Sequence, residues 1–275
     1  MDTEQIMTLA LELAGLDSVP ADSQIYHPGC NLQRILIGID IDSAELWMAK
    51  QLGFDLALAH HPKGSRATLH FAEVLHRHVE QMTLAGVPRE IAEPIIDAKM
   101  AEARIRAHMS NYDHIPSVAR LIDMPFMNIH TPLDEIGRQR MAAVVAGVAP
   151  EAAVSGLIAA LEESLPEFRN AETEIDIRVG RAANPIGKAV VSHGAGTNGG
   201  YPVAKAYFEH GIDTVIYIHC DATESARLRG EFEAQGKNLI VTGHIVSDSI
   251  GINPFIAELV SRGLEVQRMS GVIPG

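Results

Sequence analysis

Two rhythms of apolar positions alternate along this chain. Residues 3–15 place Ile6, Leu9, Leu11 and Leu13 in a helix-forming background closed by Gly15, which predicts a first helix. Residues 18–31 carry two prolines, Asp, Ser and Gly without periodicity and predict a loop. "RILIGIDID", residues 34–42, is a solid apolar run and predicts a buried strand; Asp42 or Ser43 then caps a helix that runs to Leu52 and stops at Gly53. "DLALAH" supplies the next strand, so strand, helix and strand follow one another as a right-handed βαβ unit with a parallel pair.

The helical rhythm takes over in residues 67–105, rich in Ala, Leu, Glu, Arg and Met, and "AGVPRE" divides them into two long helices. "RIRAHMSNYDHIP" predicts a strand opening into a loop, with a helix from Ser117 to about Ile122. "MPFMNIHTPLDEIGRQ" reads as a loop-rich joint. Beyond it, a helix over 151–165 and a strand over 174–180 lead to "KAVVSHGAGTNGG", a strand entering a Gly-rich turn. A helix to Gly211, the strand "DTVIYIHC", the helix "ATESARLRGEFEAQ", the strand "NLIVTGH", a helix over 253–262 and a closing strand "EVQRM" complete the pattern.

An apolar strand ending in histidine thus occurs at His60 and returns at His219 and His244. The fold class predicted is α/β: two similar halves, 1–130 and 131–275, each a largely parallel or mixed sheet covered by helices. In such sheets the functional groups collect beyond the carboxyl ends of the strands.

Composition narrows the options. The 275 residues are 47% hydrophobic and 21% charged, an ordinary globular balance, and the net charge of -13 argues against a phosphate-backbone binding surface. An acidic start and no long apolar run predict a cytoplasmic protein outside any membrane. Cys30 and Cys220 are far apart with no C-x-x-C spacing, which predicts neither a disulfide framework nor a structural zinc site.

The chemistry therefore rests on imidazoles and carboxylates: His60 and His61, Asp113, His193, His219, and His244 with Asp248 four residues on. On a helix His244 and Asp248 share a face, a spacing suited to two ligands. Imidazole with carboxylate fits Zn²⁺, Fe²⁺, Mn²⁺, Ni²⁺ or Co²⁺ in an open site. Asp40 and Asp42, at the end of the neighbouring strand, are candidates to orient a histidine or serve as general base. His27, His130 and His210 are read as structural, and His70, His76 and His78 as solvated. The Gly-rich turn matches neither dinucleotide nor P-loop patterns, and no G-x-S-x-G elbow occurs.

"RILIGIDIDSAELWMAKQLGFDLALAHHP" resembles the strand, Asp-containing turn, helix and His-His-Pro segment of the NIF-three-like family, whose bacterial members include GTP cyclohydrolase 1 type 2 homologues. "SNYD" (110–113) resembles its Thr-Asn-x-Asp element, "VSHGAGTNGG" its Gly-rich turn and "TGHIVSDSIG" its Gly-His-x-x-x-Glu element, from about residue 34 onward. The resemblance implies a dinuclear metal site in the cleft between the halves, made by His60, His61, Asp113, His244 and Asp248, and assembly into a ring, commonly a hexamer. His108, just before the Asp element, is a candidate further ligand or its donor, and Asn111, Lys63, His193 and His219 are candidates for substrate contact. Asp248 stands where the family has Glu, "YIHC" where many members have Thr-Gly-Asp or Thr-Gly-Glu, and the N-terminal Trp-Asp-Asn-x-Gly-Leu stretch is missing. The activity expected is metal-activated water attacking a nucleotide ring or phosphoester. The alternative is a metal carrier, insertion factor or metal-holding regulatory protein.

Overall fold

A computed structural model describes residues 1–275. The first stretch gives α1 (Thr3–Ala14), β1 (Gln24–His27), β2 (Arg34–Gly38), α2 (Ser43–Gln51), β3 (Leu56–Ala59) and α3 (Ser65–Leu69). Next come α4 (Arg77–Ala85), α5 (Arg89–Met109), α6 (His114–Leu121), β4 (Phe126–Asn128), α7 (Thr131–Ala146), α8 (Val154–Ser164) and α9 (Pro166–Asn170). The remainder forms β5 (Asp176–Val179), β6 (Ala189–Val191), α10 (Gly200–Glu209), β7 (Thr214–Tyr217) and α11 (Ala222–Phe232). It ends with β8 (Asn238–Val241), α12 (His244–Ser261) and β9 (Glu265–Met269).

The chain divides into two compact units. One comprises residues 1–74, 101–136 and 251–272; the other comprises 75–100, 137–250 and 273–275. The sequence reading draws a single division after His130; here the chain passes between units several times, because α5, α7 and α12 each contribute residues to both.

The first unit holds a five-stranded sheet in the order β1-β4-β3-β2-β9. β9, β2, β3 and β4 are parallel and β1 is an antiparallel edge. Alternate residues of β2 and β3 face opposite layers. Ile35, Ile37, Leu56 and Leu58 join Ile6, Leu9 and Phe255 on one side, while Leu36, Ala57 and Ala59 join Leu46 and Ala119 on the other. Burial on both faces explains why these strands read as unbroken apolar runs.

The second unit repeats the plan with four strands in the order β5-β8-β7-β6, again parallel except for an antiparallel β5 at the edge. Its core gathers Ile216, Ile218 and Ile240 with Leu157, Leu161, Val246 and Ile250. The two similar α/β halves expected from the strand pattern are present.

Four local expectations give way. Residues 18–31 contain β1, an edge strand in which only Tyr26 is buried, so no alternation marks it. "RIRAHM" continues helix α5, whose exposed Ile105 and Met109 mimic a strand pattern. The supposed joint holds β4 and the start of α7, with Pro132 in the helix's first turn, where it removes no helical hydrogen bond. The last helix begins at His244 rather than Asn253. No helix is long and apolar enough to cross a membrane.

Candidate metal centre

In the first unit the parallel ladder outlasts the strands and fixes the histidines at their ends. The His60 and His61 amides donate to the carbonyls of Gly38 and Ile39 at 2.8 and 3.0 Å, and the Ile129 amide donates to Ala59 at 3.1 Å. His60, His61 and His130 therefore stand together beyond β3 and β4. Their rings lie 4.8–5.7 Å apart, and one nitrogen from each falls within 4.8 Å of the others.

Each imidazole has its Nδ1 against an oxygen acceptor. His60 Nδ1 lies 3.0 Å from the Ile129 carbonyl, His61 Nδ1 3.1 Å from Asp40 Oδ1, and His130 Nδ1 2.7 Å from Asp22 Oδ2. A proton on each Nδ1 follows, so each Nε2 presents its lone pair, the arrangement in which a second partner orients a metal-binding histidine. Asp134, one helical turn beyond His130 in α7, places Oδ1 3.1 Å from His60 Nε2 and Oδ2 3.6 Å from His130 Nε2. Ligands bound at about 2.0–2.1 Å in a tetrahedral or octahedral shell are separated by about 3 Å. The His60, His61 and His130 nitrogens, with Asp134 beside two of them, are a donor set that suits a divalent cation of the zinc, iron or manganese type.

Behind them lies a second tier. Asp22, fully buried, accepts from Thr131 Oγ1 at 2.7 Å and from Ser23 Oγ, and Ser23 Oγ in turn accepts the His130 amide at 2.9 Å. Asn128 donates to the carbonyls of Asp22 and His60, and Tyr26 donates its hydroxyl to Asn128 Oδ1 at 2.7 Å. Burial pushes the Tyr26 phenol well up, so it remains a neutral donor. At the mouth, Lys63 binds Asp40 at 2.6 Å and Asp42 at 3.3 Å. Partial burial works to raise the Asp40 carboxyl, but the Lys63 hydrogen bond and the charge of His61 outweigh it and hold Asp40 below its ordinary value.

The second unit carries the other two expected ligands. Gly243, with φ of +96°, turns the chain from β8 into α12, and the first turn of that helix sets His244 Nε2 3.5 Å from Asp248 Oδ2. The His219 ring lies 4.8 Å from that of His244. Asn198, from the Gly-rich turn, accepts the Ile218 amide at 2.9 Å and places its Nδ2 3.1 Å from the His219 ring nitrogens. Helix α4 holds the same turn: Arg77 donates to the Gly194 carbonyl, Gln81 donates to the carbonyl of the buried His193, and His78 Nε2 lies 3.2 Å from Thr197 Oγ1. Far from being solvated, His78 is completely buried; that burial, with the charges of Lys99 and Arg77, pushes its imidazole down to about 3.

Asp113 is not beside the histidines. It precedes α6, its side chain is 51% exposed, and both carboxylate oxygens accept from Arg120, at 2.7 and 2.9 Å. Asn111 accepts the Asp113 amide, and His108 lies on an exposed face of α5. Within this unit Asp134 is the carboxylate that stands beside His60, and His130, read from sequence as structural, belongs to the cluster. The signal was present: His130-x-x-x-Asp134 repeats the spacing of His244-x-x-x-Asp248. Asp22 had no local signal at all.

No family model and no curated protein matches the chain. Among solved structures it is similar to a NIF3 superfamily protein from Sphaerobacter thermophilus, with 50% identity, 98% of each chain covered and a TM-score of 0.94. It also shares its fold with reduced HcgD from Methanocaldococcus jannaschii, at 12% identity, 98% and 97% coverage and a TM-score of 0.58. A protein of unknown function, ybgI, matches at 16% identity, 100% and 99% coverage and a TM-score of 0.53. Half of all residues identical over nearly the whole length leaves one conclusion: the chain belongs to the NIF3 superfamily.

Proposed function

We propose that the protein is a divalent-metal hydrolase whose centre is built on His60, His61, His130 and Asp134. The observation supporting this most directly is that all three imidazoles have Nδ1 held by an oxygen, which leaves each Nε2 lone pair for a cation, with the Asp134 carboxylate beside His60 and His130 to balance its charge. The family resemblance adds His244 and Asp248 and a second ion to the proposal. The ions supply Lewis acidity and a water acidified toward neutrality. The chain's own residues do the rest. Asp22 and the Ile129 carbonyl fix the tautomers of His130 and His60, and Asp40 fixes that of His61. Lys63 offers a cation for a substrate oxyanion, and Asp40 or Asp42 takes the proton released when water attacks. The substrate class proposed is a nucleotide or phosphoester, as for the GTP cyclohydrolase 1 type 2 homologues, in a hexameric ring that light scattering would verify.

Elemental analysis of protein purified without chelator tests the reading. About two ions per chain, fewer in Asp134→Ala and His61→Ala, and an unchanged content in Asp113→Ala are expected. Metal content unaffected by Asp134→Ala would remove the centre. Metal lost readily to an apo-acceptor, with no turnover of nucleotides or phosphoesters, would instead indicate the carrier.

A further inference from the structure

Lys63 is placed unusually for a lysine. Its side chain is only 12% exposed, although an ammonium ordinarily extends into water. The Lys63 amide donates to Tyr26 Oη at 2.8 Å. The following Gly64 lies so close to the Tyr112 carbonyl that a Cβ would collide with it, so the backbone of this loop is fixed. From that base the ammonium reaches back to Asp40 Oδ1 and Asp42 Oδ1 at the edge of the histidine cluster. Two of its three donors are engaged, which leaves one for an incoming acceptor.

The acceptor Lys63 uses is shared. Asp40 Oδ1 receives Lys63 Nζ at 2.6 Å and faces His61 Nδ1 at 3.1 Å, while the Asp40 amide donates to Ser270 Oγ at 3.3 Å. One oxygen therefore divides its charge between a cation and a metal-binding imidazole. An oxyanion that draws Lys63 toward itself leaves Asp40 Oδ1 to His61 alone. His61 is then oriented by Asp40 without competition and held more firmly in its metal-binding position, which tightens metal binding.

From this geometry we infer that Lys63 is an oxyanion anchor, for a phosphoryl or carboxylate group of the ligand, and that Asp40 couples occupancy of this anchor to metal affinity at His61. The inference rests on the metal reading above and names what that site recognises. Coupling of this kind is reciprocal: the metal must tighten the anion by the same factor.

The test is the Zn²⁺ dissociation constant, measured by competition with a chromophoric chelator, with and without millimolar sulfate. Sulfate should tighten Zn²⁺ about five-fold or more in the parent and in Lys63→Arg. The gain should vanish in Lys63→Met and in Asp40→Asn, with circular dichroism showing that each variant is folded. An equal gain in the parent and in either of these two variants overturns the inference, since the anion would then ligate the metal directly. A parent that binds Zn²⁺ but ignores sulfate overturns the coupling and leaves the metal reading standing. A parent that binds no Zn²⁺ overturns both.

Discussion

The two units share a strand order and an H-x-x-x-D at the start of the helix after the corresponding strand, yet they equip it differently. In the first, His130 and Asp134 are buried beside two further histidines and backed by the fully buried carboxylate of Asp22. In the second, the His244 side chain is 44% exposed, and its neighbour His219 is supported by the neutral amide of Asn198. A repeated fold thus supplies positions, not chemistry. What fills the second tier decides how strongly each histidine is oriented, because a buried charge partner constrains an imidazole more than an amide does.

The largest effect that would break this contrast is expected at Asp22. Asp22→Ala leaves the donors of His130, Thr131 and Ser23 without their buried acceptor and should cost about 3 kcal/mol in urea unfolding, with weakened metal binding. A cost below about 1 kcal/mol would mean that the second tier is not what separates the units.

The next effect lies in the second unit and depends on pH. His78 is neutral when folded, with its imidazole pushed down to about 3, while the unfolded chain titrates near the ordinary 6.5. The unfolded state therefore takes up the proton first. The stability His78 supports is complete above pH 6.5 and declines as pH falls toward 3, by at most about 1.4 kcal/mol per pH unit. Besides Thr197, the groups acting on it are Lys99 and Arg77, and both oppose protonation. Urea midpoints at pH 7 and pH 5 should move apart less in His78→Gln than in the parent, and an unchanged difference would remove this account of how the Gly-rich turn is anchored.

Asn198→Ala should cost about 1–2 kcal/mol, because one buried amide hydrogen bond and the support of His219 are lost without stranding a charge. A cost matching that of Asp22→Ala would erase the distinction. The smallest effect belongs to Asp113→Ala: its ion pair with Arg120 is half exposed, so stability should change by less than about 1 kcal/mol.

Much of the fold was legible because strands buried on both faces leave unbroken apolar runs, and β2, β3, β7 and β8 are such strands. β1 and β4 escaped because one is a half-buried edge and the other has three residues before a helix. The site was legible in part. His60 and His61 announced themselves as an adjacent pair at a strand end, and His244 with Asp248 by helical spacing. Asp134 carries the same spacing from His130, whereas Asp113, whose "SNYD" context resembles a family element, has its carboxylate occupied by Arg120 on the surface.

By itself the sequence determined the α/β class, the repeated strand-end histidines and the donor type, since periodicity and residue chemistry are local properties. Only the tertiary structure decided which carboxylates join them. Asp22 reaches His130 across more than a hundred residues, and Asp40 divides one oxygen between His61 and Lys63. Contacts of that kind arise where parallel strands align their ends, and no spacing along the chain encodes them.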